Sequence, residues 1–366
     1  MTQRILSVRE LNRATLARQM LLKRDRLSVP AAIERLVGLQ AQVSSAPFIG
    51  LWTRLCDLGR EALGELIENR TVVKATFMRA TLHLVTAEDY VRFRTTLQPM
   101  LTSAGNAIAK RRSGEFNLEK VLAEARRYIG EKPRTFAEIS VMVGEWAPDA
   151  DVGAARYSVR THLPLVQVPV SGGWGYPSKP EFALADSWLG RPVSTSDNLR
   201  QLVFRYLAAF GPASATDMQT WSGLPKLKET FEELRPELKT YRDENRRELF
   251  DLHDGPIPDS DVPAPARFLP EYDNLLLSHT NRTRVIPDEH RSRVFLPGLR
   301  VRGTILVDGF VGGAWRVDKE KNAAILVIEP FVKLTRGDRA ALNEEAEKLV
   351  RFLEPQAKSF GIKVEE

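Results

Sequence analysis

The strongest constraint on the fold is an order of elements that recurs along the chain: a cluster of short amphipathic helices followed by strand-forming residues. In one stretch, apolar spacing predicts helices over about 118–130, from Thr135-Phe136-Ala137-Glu138 onward, and over about 152–162. Recurrence at i, i+3 and i+4 gathers apolar side chains on one face, which is the signature of a helix packed on a core. Leu165-Val166-Gln167-Val168-Pro169-Val170 then reads as a strand, Ser171-Gly172-Gly173 as a turn, and Trp174 to Tyr176 as the return strand.

Three helices followed by a hairpin is the winged-helix order. It repeats downstream. Leu199, Leu202, Val203, Tyr206, Leu207 and Phe210 form an apolar stripe, Gly211-Pro212-Ala213-Ser214 breaks and caps, and short helices follow over Ala215 to Ser222 and Lys226 to Leu234. Leu238 to Arg242 and Glu248 to Leu252 supply the hairpin. The N-terminal part carries helices from Val8 to Leu21, Pro30 to Leu39 and Gly59 to Asn69, then one strand from Ala75 to Val85. A long helical stretch runs from Thr86 to about Lys110, and Lys110-Arg111-Arg112-Ser113-Gly114 ends it.

A linker of proline and acid, Asp254-Gly255-Pro256-Ile257-Pro258 through Pro265, precedes a portion of different texture. There a hairpin spans Gly303 to Val317 with its turn at Asp308-Gly309, Ala323 to Ile328 adds a strand, and a helix from about Arg339 to Phe352 leads to a last strand near Ile362. The expected architecture is mostly α with β-hairpins, an α+β fold of tandem winged-helix motifs in a concave arrangement plus a small C-terminal α+β unit. Its expected units are a first winged-helix-like region over residues 1–115, winged helices over 116–192 and 193–255, and the C-terminal region over 256–366.

With 43% hydrophobic and 27% charged residues the chain is not of the disordered class. The start, Met-Thr-Gln-Arg, leads into the capping box Ser7-Val8-Arg9-Glu10 and not into an apolar signal core. No apolar run approaches the roughly 18–20 residues of a membrane helix, so no membrane partner is expected. The single cysteine, Cys56, excludes an intramolecular disulfide and fits a reducing cytoplasm. His83, His162, His253, His279 and His290 show no ligand spacing, so neither a metal nor another cofactor is expected. The net charge is +6, and the basic excess lies in the first third of the chain, which suits a polyanion or a solvated basic face.

Within that third, Gly38-Leu39-Gln40-Ala41-Gln42 closes a helical pattern begun by Ser28 and Pro30. Continuing the helix turns the two amides apart, whereas extended backbone points residues i and i+2 to one side. Both amides converge only if the helix stops near Leu39. Alone, the pair also reads as a local cap and a solvated side chain.

The sequence resembles the winged-helix DNA glycosylase superfamily of AlkZ/YcaQ-like proteins over most of its length. The resemblance rests on Val37-Gly38-Leu39-Gln40-Ala41-Gln42 with Pro47 and Gly50-Leu51-Trp52, on Arg79-Ala80-Thr81-Leu82-His83-Leu84-Val85, and on Gly211-Pro212-Ala213. Further blocks are Trp221-Ser222-Gly223-Leu224, Leu269 through Leu277, Arg282-Thr283-Arg284 and Leu306-Val307-Asp308-Gly309. It implies that Gln40 and Gln42 are the catalytic pair. Gln rather than Asp at position 42 is similar to the AlkZ branch, associated with removing bulky alkylpurines and unhooking interstrand crosslinks. It implies a monomer acting in the cytoplasm, at the nucleoid, on double-stranded DNA containing alkylated or crosslinked purines.

The residue chemistry agrees with a cationic lesion. A carboxamide does not ionise near neutral pH and only donates and accepts hydrogen bonds. An N7- or N3-alkylated purine already carries positive charge and leaves as a neutral base, so a positioned water and carbonyl dipoles facing the sugar cation suffice. No motif places a lysine for Schiff-base chemistry, so the expected enzyme is monofunctional and leaves an abasic site. Arg156 and Arg160, with Tyr157, occupy the recognition-helix position of the second winged helix. On the strand carrying His83, alternation puts Arg79, Thr81 and His83 on one face, as a pocket wall, a phosphate contact or simple packing. Arg282 and Arg284 are expected at the DNA, and Asp273 in an internal salt bridge. Two other readings stay open: a winged-helix regulator or drug-sequestering protein without chemistry, and a glycosidase acting on free nucleosides.

Overall fold

The computed structural model describes residues 4–112 and 116–365, so Ser113 and Gly114 of the expected helix break, and the 115/116 boundary, lie outside the described residues. The fold is α+β. The N-terminal helix Val8–Arg18, opened by the Ser7/Glu10 capping box, is a central strut. Arg18 makes a two-pronged bond to Asp251 at 2.6 and 2.8 Å, with both side chains buried. Asn12 donates to the carbonyl of Gly309 at 2.8 Å, and Arg13 pairs with Asp308 at 2.5 Å. One helix thus ties the third helical cluster to the C-terminal sheet.

The first two clusters share one six-stranded sheet, in the order Leu39–Gln40, Leu82–Thr86, Val72–Thr76, Leu165–Gln167, Glu181–Leu184, Arg134–Thr135. The bridge between them is the Ala75 to Val166 pair. Two expectations need correction here. The stretch from Ala75 to Val85 is two strands, Val72–Thr76 and Leu82–Thr86, folded back at Phe77–Thr81. No Gly, Pro or Asn marks that turn, because Arg79 and Ala80 themselves take the left-handed backbone, at φ 54° and 55°. The return strand after Gln167 is Glu181–Leu184, not Trp174 to Tyr176. Trp174 instead leaves the sheet to lie under Arg60 at 3.9 Å and against Phe48 at 5.1 Å, while Tyr176 reaches Lys74.

The stretch from Thr86 to Lys110 is likewise two helices, Ala87–Phe93 and Gln98–Arg111, and a short helix at Ala46–Trp52 was not expected. The third cluster follows the expected order: helices Leu199–Phe210, Ala215–Ser222 and Leu227–Leu234, then strands Lys239–Asp243 and Glu248–Asp251. Tyr206, Phe210, Trp221 and Phe231 are fully buried there, and each aromatic of that kind contributes roughly 1.5–3 kcal/mol by leaving water. The C-terminal unit is a five-stranded sheet, ordered Arg267–Leu269, Thr304–Val307, Phe310–Lys319, Ala323–Pro330, Ser359–Val364, covered by helix Arg336–Leu353. Its hairpin turns at Asp308 and Gly309, both with positive φ as a tight two-residue turn requires. Among the described residues no helix is long and apolar enough to cross a membrane.

Candidate active site

The amide pair sits where a helix becomes a strand. Helix Val29–Arg35 ends with Leu36 as its cap, three residues before Leu39. Val37 and Gly38 then both adopt positive φ, at 54° and 90°. A Cβ on Gly38 would lie 2.6 Å from Val85 Cγ1, so only glycine lets the chain turn this tightly against strand Leu82–Thr86. Strand Leu39–Gln40 follows, paired with Leu84 and His83, and the amide of Ala41 continues the ladder to the carbonyl of Leu82 at 2.7 Å.

The two glutamines are treated differently. Gln40 is buried, and its Oε1 accepts from Arg79 Nη2 at 2.6 Å. Gln42 is exposed. Arg79 Nη2 also donates to Asn274 Oδ1 at 3.1 Å, and its Nη1 to the carbonyl of Trp221. Asn274 Nδ2 in turn donates to the carbonyl of Gly38 at 3.1 Å. The strand end, the Phe77–Thr81 turn, the third helical cluster and the turn after Leu269 therefore meet at one guanidinium. Burial and the nearby Arg282 charge lower the pKa of Arg79 to about 10, which leaves it charged at neutral pH.

His83 lies beside Gln40 in the ladder but is fully buried, with its ring edge-on to Phe77. Burial, then the Arg79 charge, pull its pKa to about 3. Its Nδ1 is 3.2 Å from the carbonyl of Thr81, an acceptor, so Nδ1 carries the proton. The ring presents no surface to solvent and packs in the core beside Phe77. Arg284 is buried, donates to the carbonyl of Pro212 at 2.9 Å and feels the charge of Asp217. Asp273 holds Arg54 through bonds of 2.8 and 2.9 Å, the internal salt bridge expected of it.

Arg282 stacks on Phe295 at 4.3 Å, its Nε has no partner among the described residues, and burial and Arg291 lower its pKa. Arg160 is half-buried and its Nε donates to Thr76 Oγ1 at 2.9 Å. Arg156 stands exposed on the same helix, 3.4 Å from Ser140 Oγ, and is not brought to the amide pair by any described contact.

Two residues escaped sequence reasoning. Asn274 stood inside a quoted block without a role. Lys74 is a lone cation in the apolar strand Val72–Thr76, which was the available signal. Its Nζ lies 3.4 Å from Ser44 Oγ and 5.0 Å from the centre of the Tyr176 ring, and burial pulls its pKa down to about 8. Lys74 and Thr76 share the sheet face opposite Gln40, with Arg160 leaning over Thr76. Thr76 pairs with Leu82, which accepts from Ala41, so this second cluster lies two strands, or roughly 10 Å, from the amide segment.

None of Lys74, Arg79, Arg160 or Arg282 has a carboxylate partner among the described residues, although ion pairs hold many arginines elsewhere in the chain. No group of three His, Cys, Asp or Glu that could hold a metal occurs among the described residues.

The family profile described as "DNA glycosylase AlkZ-like" matches residues 33–352. The chain belongs to the AlkZ-like DNA glycosylase family. Its enzyme class is that of the family, hydrolases of N-glycosyl bonds. An interstrand DNA cross-link repair glycosylase of Streptomyces sahachiroi is 26% identical, an alignment covering 91% of this chain and 93% of that protein. The solved structure of the Streptomyces sahachiroi DNA glycosylase AlkZ superposes with a TM-score of 0.82 over 99% of this chain and 100% of that one. At 21% identity this likeness shows the shared fold.

Proposed function

We propose that this glycosylase removes N7- or N3-alkylated purines from double-stranded DNA, including purines held in interstrand crosslinks, with Gln40 and Gln42 as its catalytic pair. The observation that carries the reading is charge. Lys74 beside Ser44, Arg160 over Thr76 and Arg282 on the Phe295 ring have no carboxylate partner among the described residues, and the polar side chains of the amide segment are neutral. Cations held partly out of water without counter-ions are costly, and a phosphate backbone offsets that cost on binding.

The amides then act on the sugar. They cannot take a proton outright, but they orient a water and turn a dipole toward positive charge that develops as the base departs. This is adequate for a leaving base that is already cationic and inadequate for a normal one. Next to the motif, a cavity of about 330 Å³ is bordered by Val43, Ser45, Trp174 and Trp315, which offers room for the bulk of an adduct. The kinship with a cross-link repair glycosylase supports the same substrate class.

Duplexes carrying one N7-methylguanine or one uracil test the reading, with released base measured by chromatography. The expected outcome is release of N7-methylguanine and intact uracil. Robust uracil excision contradicts the proposal, because a pair of amides does not activate a neutral leaving group.

A further inference from the structure

The orientation of the Gln40 amide follows from chemistry alone. Arginine carries N–H donors and no acceptor, so the Gln40 atom 2.6 Å from Arg79 Nη2 is the carbonyl oxygen. Asn274 is fixed twice over. Its oxygen must face Arg79 at 3.1 Å, and its NH2 must face the carbonyl of Gly38, also at 3.1 Å. The third anchor of the guanidinium, the Trp221 carbonyl, also only accepts. Flipping Gln40 would set its NH2 against the N–H groups of Arg79 in a site sheltered from water. No hydrogen bond within the described residues occupies Gln40 Nε2 or either end of the Gln42 amide.

The backbone that carries Arg79 is built for this aim. Arg79 and Ala80 are consecutive non-glycine residues in the left-handed region, a combination that persists only where the surroundings enforce it. Gly223 presses on that turn, and a Cβ there would lie 3.3 Å from Arg79 Cα.

We infer that Arg79 and Asn274 are positioning residues that lock Gln40 with its NH2 toward the substrate, so that the two glutamines do different work: Gln40 donates, and Gln42 supplies the carbonyl acceptor. The inference rests on the catalytic assignment of the pair. The guanidinium also polarises the Gln40 amide and strengthens its N–H donors. Those donors hold a substrate oxygen or the attacking water. The carbonyl of Gln42 accepts a hydrogen bond from that water and faces the sugar cation.

The isosteric changes Gln40→Glu and Gln42→Glu separate the two roles in single-turnover excision of N7-methylguanine from a duplex, with DNA binding measured alongside. Gln40→Glu removes every donor and is expected to lower the rate by about 100-fold or more, whereas Gln42→Glu keeps its acceptor and stays within about tenfold. The Gln42→Glu rate should also rise with pH as its carboxylate ionises. Equal losses at both positions, or the larger loss at 42, overturn the inference.

Arg79→Met is expected to slow excision by about tenfold with DNA affinity little changed, Arg79→Lys to recover part, and Arg79→Met to add nothing in a Gln40→Ala background. Asn274→Leu gives a second arm if Arg79→Met does not fold. Additive losses show that Arg79 does not act through Gln40. If the unaltered enzyme releases no N7-methylguanine, the catalytic reading itself fails, which is a different result from symmetric glutamate variants.

Discussion

The buried Arg54–Asp273 pair offers a sharp test of how the fold supports the site. Both side chains are about 1% exposed, the carboxylate receives bonds of 2.8 and 2.9 Å from the guanidinium, and Asp273 Oδ1 also caps the backbone N–H of Leu275 at 2.9 Å. Arg54 Nε has no partner among the described residues, and its other bonds go to neutral acceptors, the carbonyl of Gly50 at 2.9 Å and Gln19 Oε1 at 3.4 Å, so Asp273 supplies its counter-charge. Asp273→Asn keeps the shape and one oxygen but strands a positive charge inside the protein. Breaking such a pair from one side costs about 3–5 kcal/mol, a large fraction of the roughly 5–15 kcal/mol that stabilises a typical domain. The cost is measured as the fall in unfolding free energy from urea titrations at neutral pH, with the slope checked for a change in cooperativity. Replacing both partners, as in Arg54→Met with Asp273→Leu, should recover most of it, because the desolvation of both charges disappears. Asp273 also sets the turn that delivers Asn274 to Arg79 and Gly38. The variant, assayed well below its transition, should therefore excise more slowly. A cost under about 1 kcal/mol, typical of exposed pairs, with excision unchanged refutes the reasoning.

Other outcomes follow from the charged groups. His83, held neutral with a pKa near 3 against about 6.5 when unfolded, makes the protein lose stability as pH falls below about 6.5, because the unfolded chain binds the proton first. Between pH 7 and 5 that contribution is about 2 kcal/mol, so His83→Gln should be less sensitive to this acidification by that amount in urea titrations. Lys74, with its pKa near 8, is charged below that pH and neutral above it. DNA affinity should weaken as pH rises through about 8, and Lys74→Met should remove that inflection while weakening binding at neutral pH. Arg282→Met should flatten the slope of log affinity against log salt by about 0.9, the share of one phosphate contact, in fluorescence-anisotropy titrations. Arg284→Met should leave that slope alone and lower stability instead.

Much of this architecture was legible because its determinants are local. Helix Ala215–Ser222 of the third cluster, with its Ser214/Asp217 capping box and Gly223, and the Asp308-Gly309 hairpin carry their caps and turn residues in sequence. The strand break at Phe77–Thr81 was not legible, because its left-handed residues are Arg and Ala, held there by the third cluster packing against them. The return strand was misplaced for a similar reason: Trp174 and Tyr176 read as strand formers, yet their rings are taken up by Arg60, Phe48 and Lys74 from the first cluster. At the site, Gly38 and the glutamines stand together in sequence and were visible. Arg79, Trp221 and Asn274 converge across 195 residues of chain, and no local pattern announces which asparagine will meet which arginine. The arginines near position 283 show the same limit, since Arg282 and Arg284 point to opposite fates from adjacent alternating positions.

The central claim is that two non-ionising amides carry the chemistry while the cations around them hold the DNA. Single-turnover release of N7-methylguanine by the Gln40→Ala, Gln42→Ala double variant, with duplex affinity measured on the same preparation, tests it directly. The account predicts that base release is lost while the DNA dissociation constant stays within about threefold of the unaltered protein, because neither amide carries charge. Excision at the unaltered rate contradicts the account.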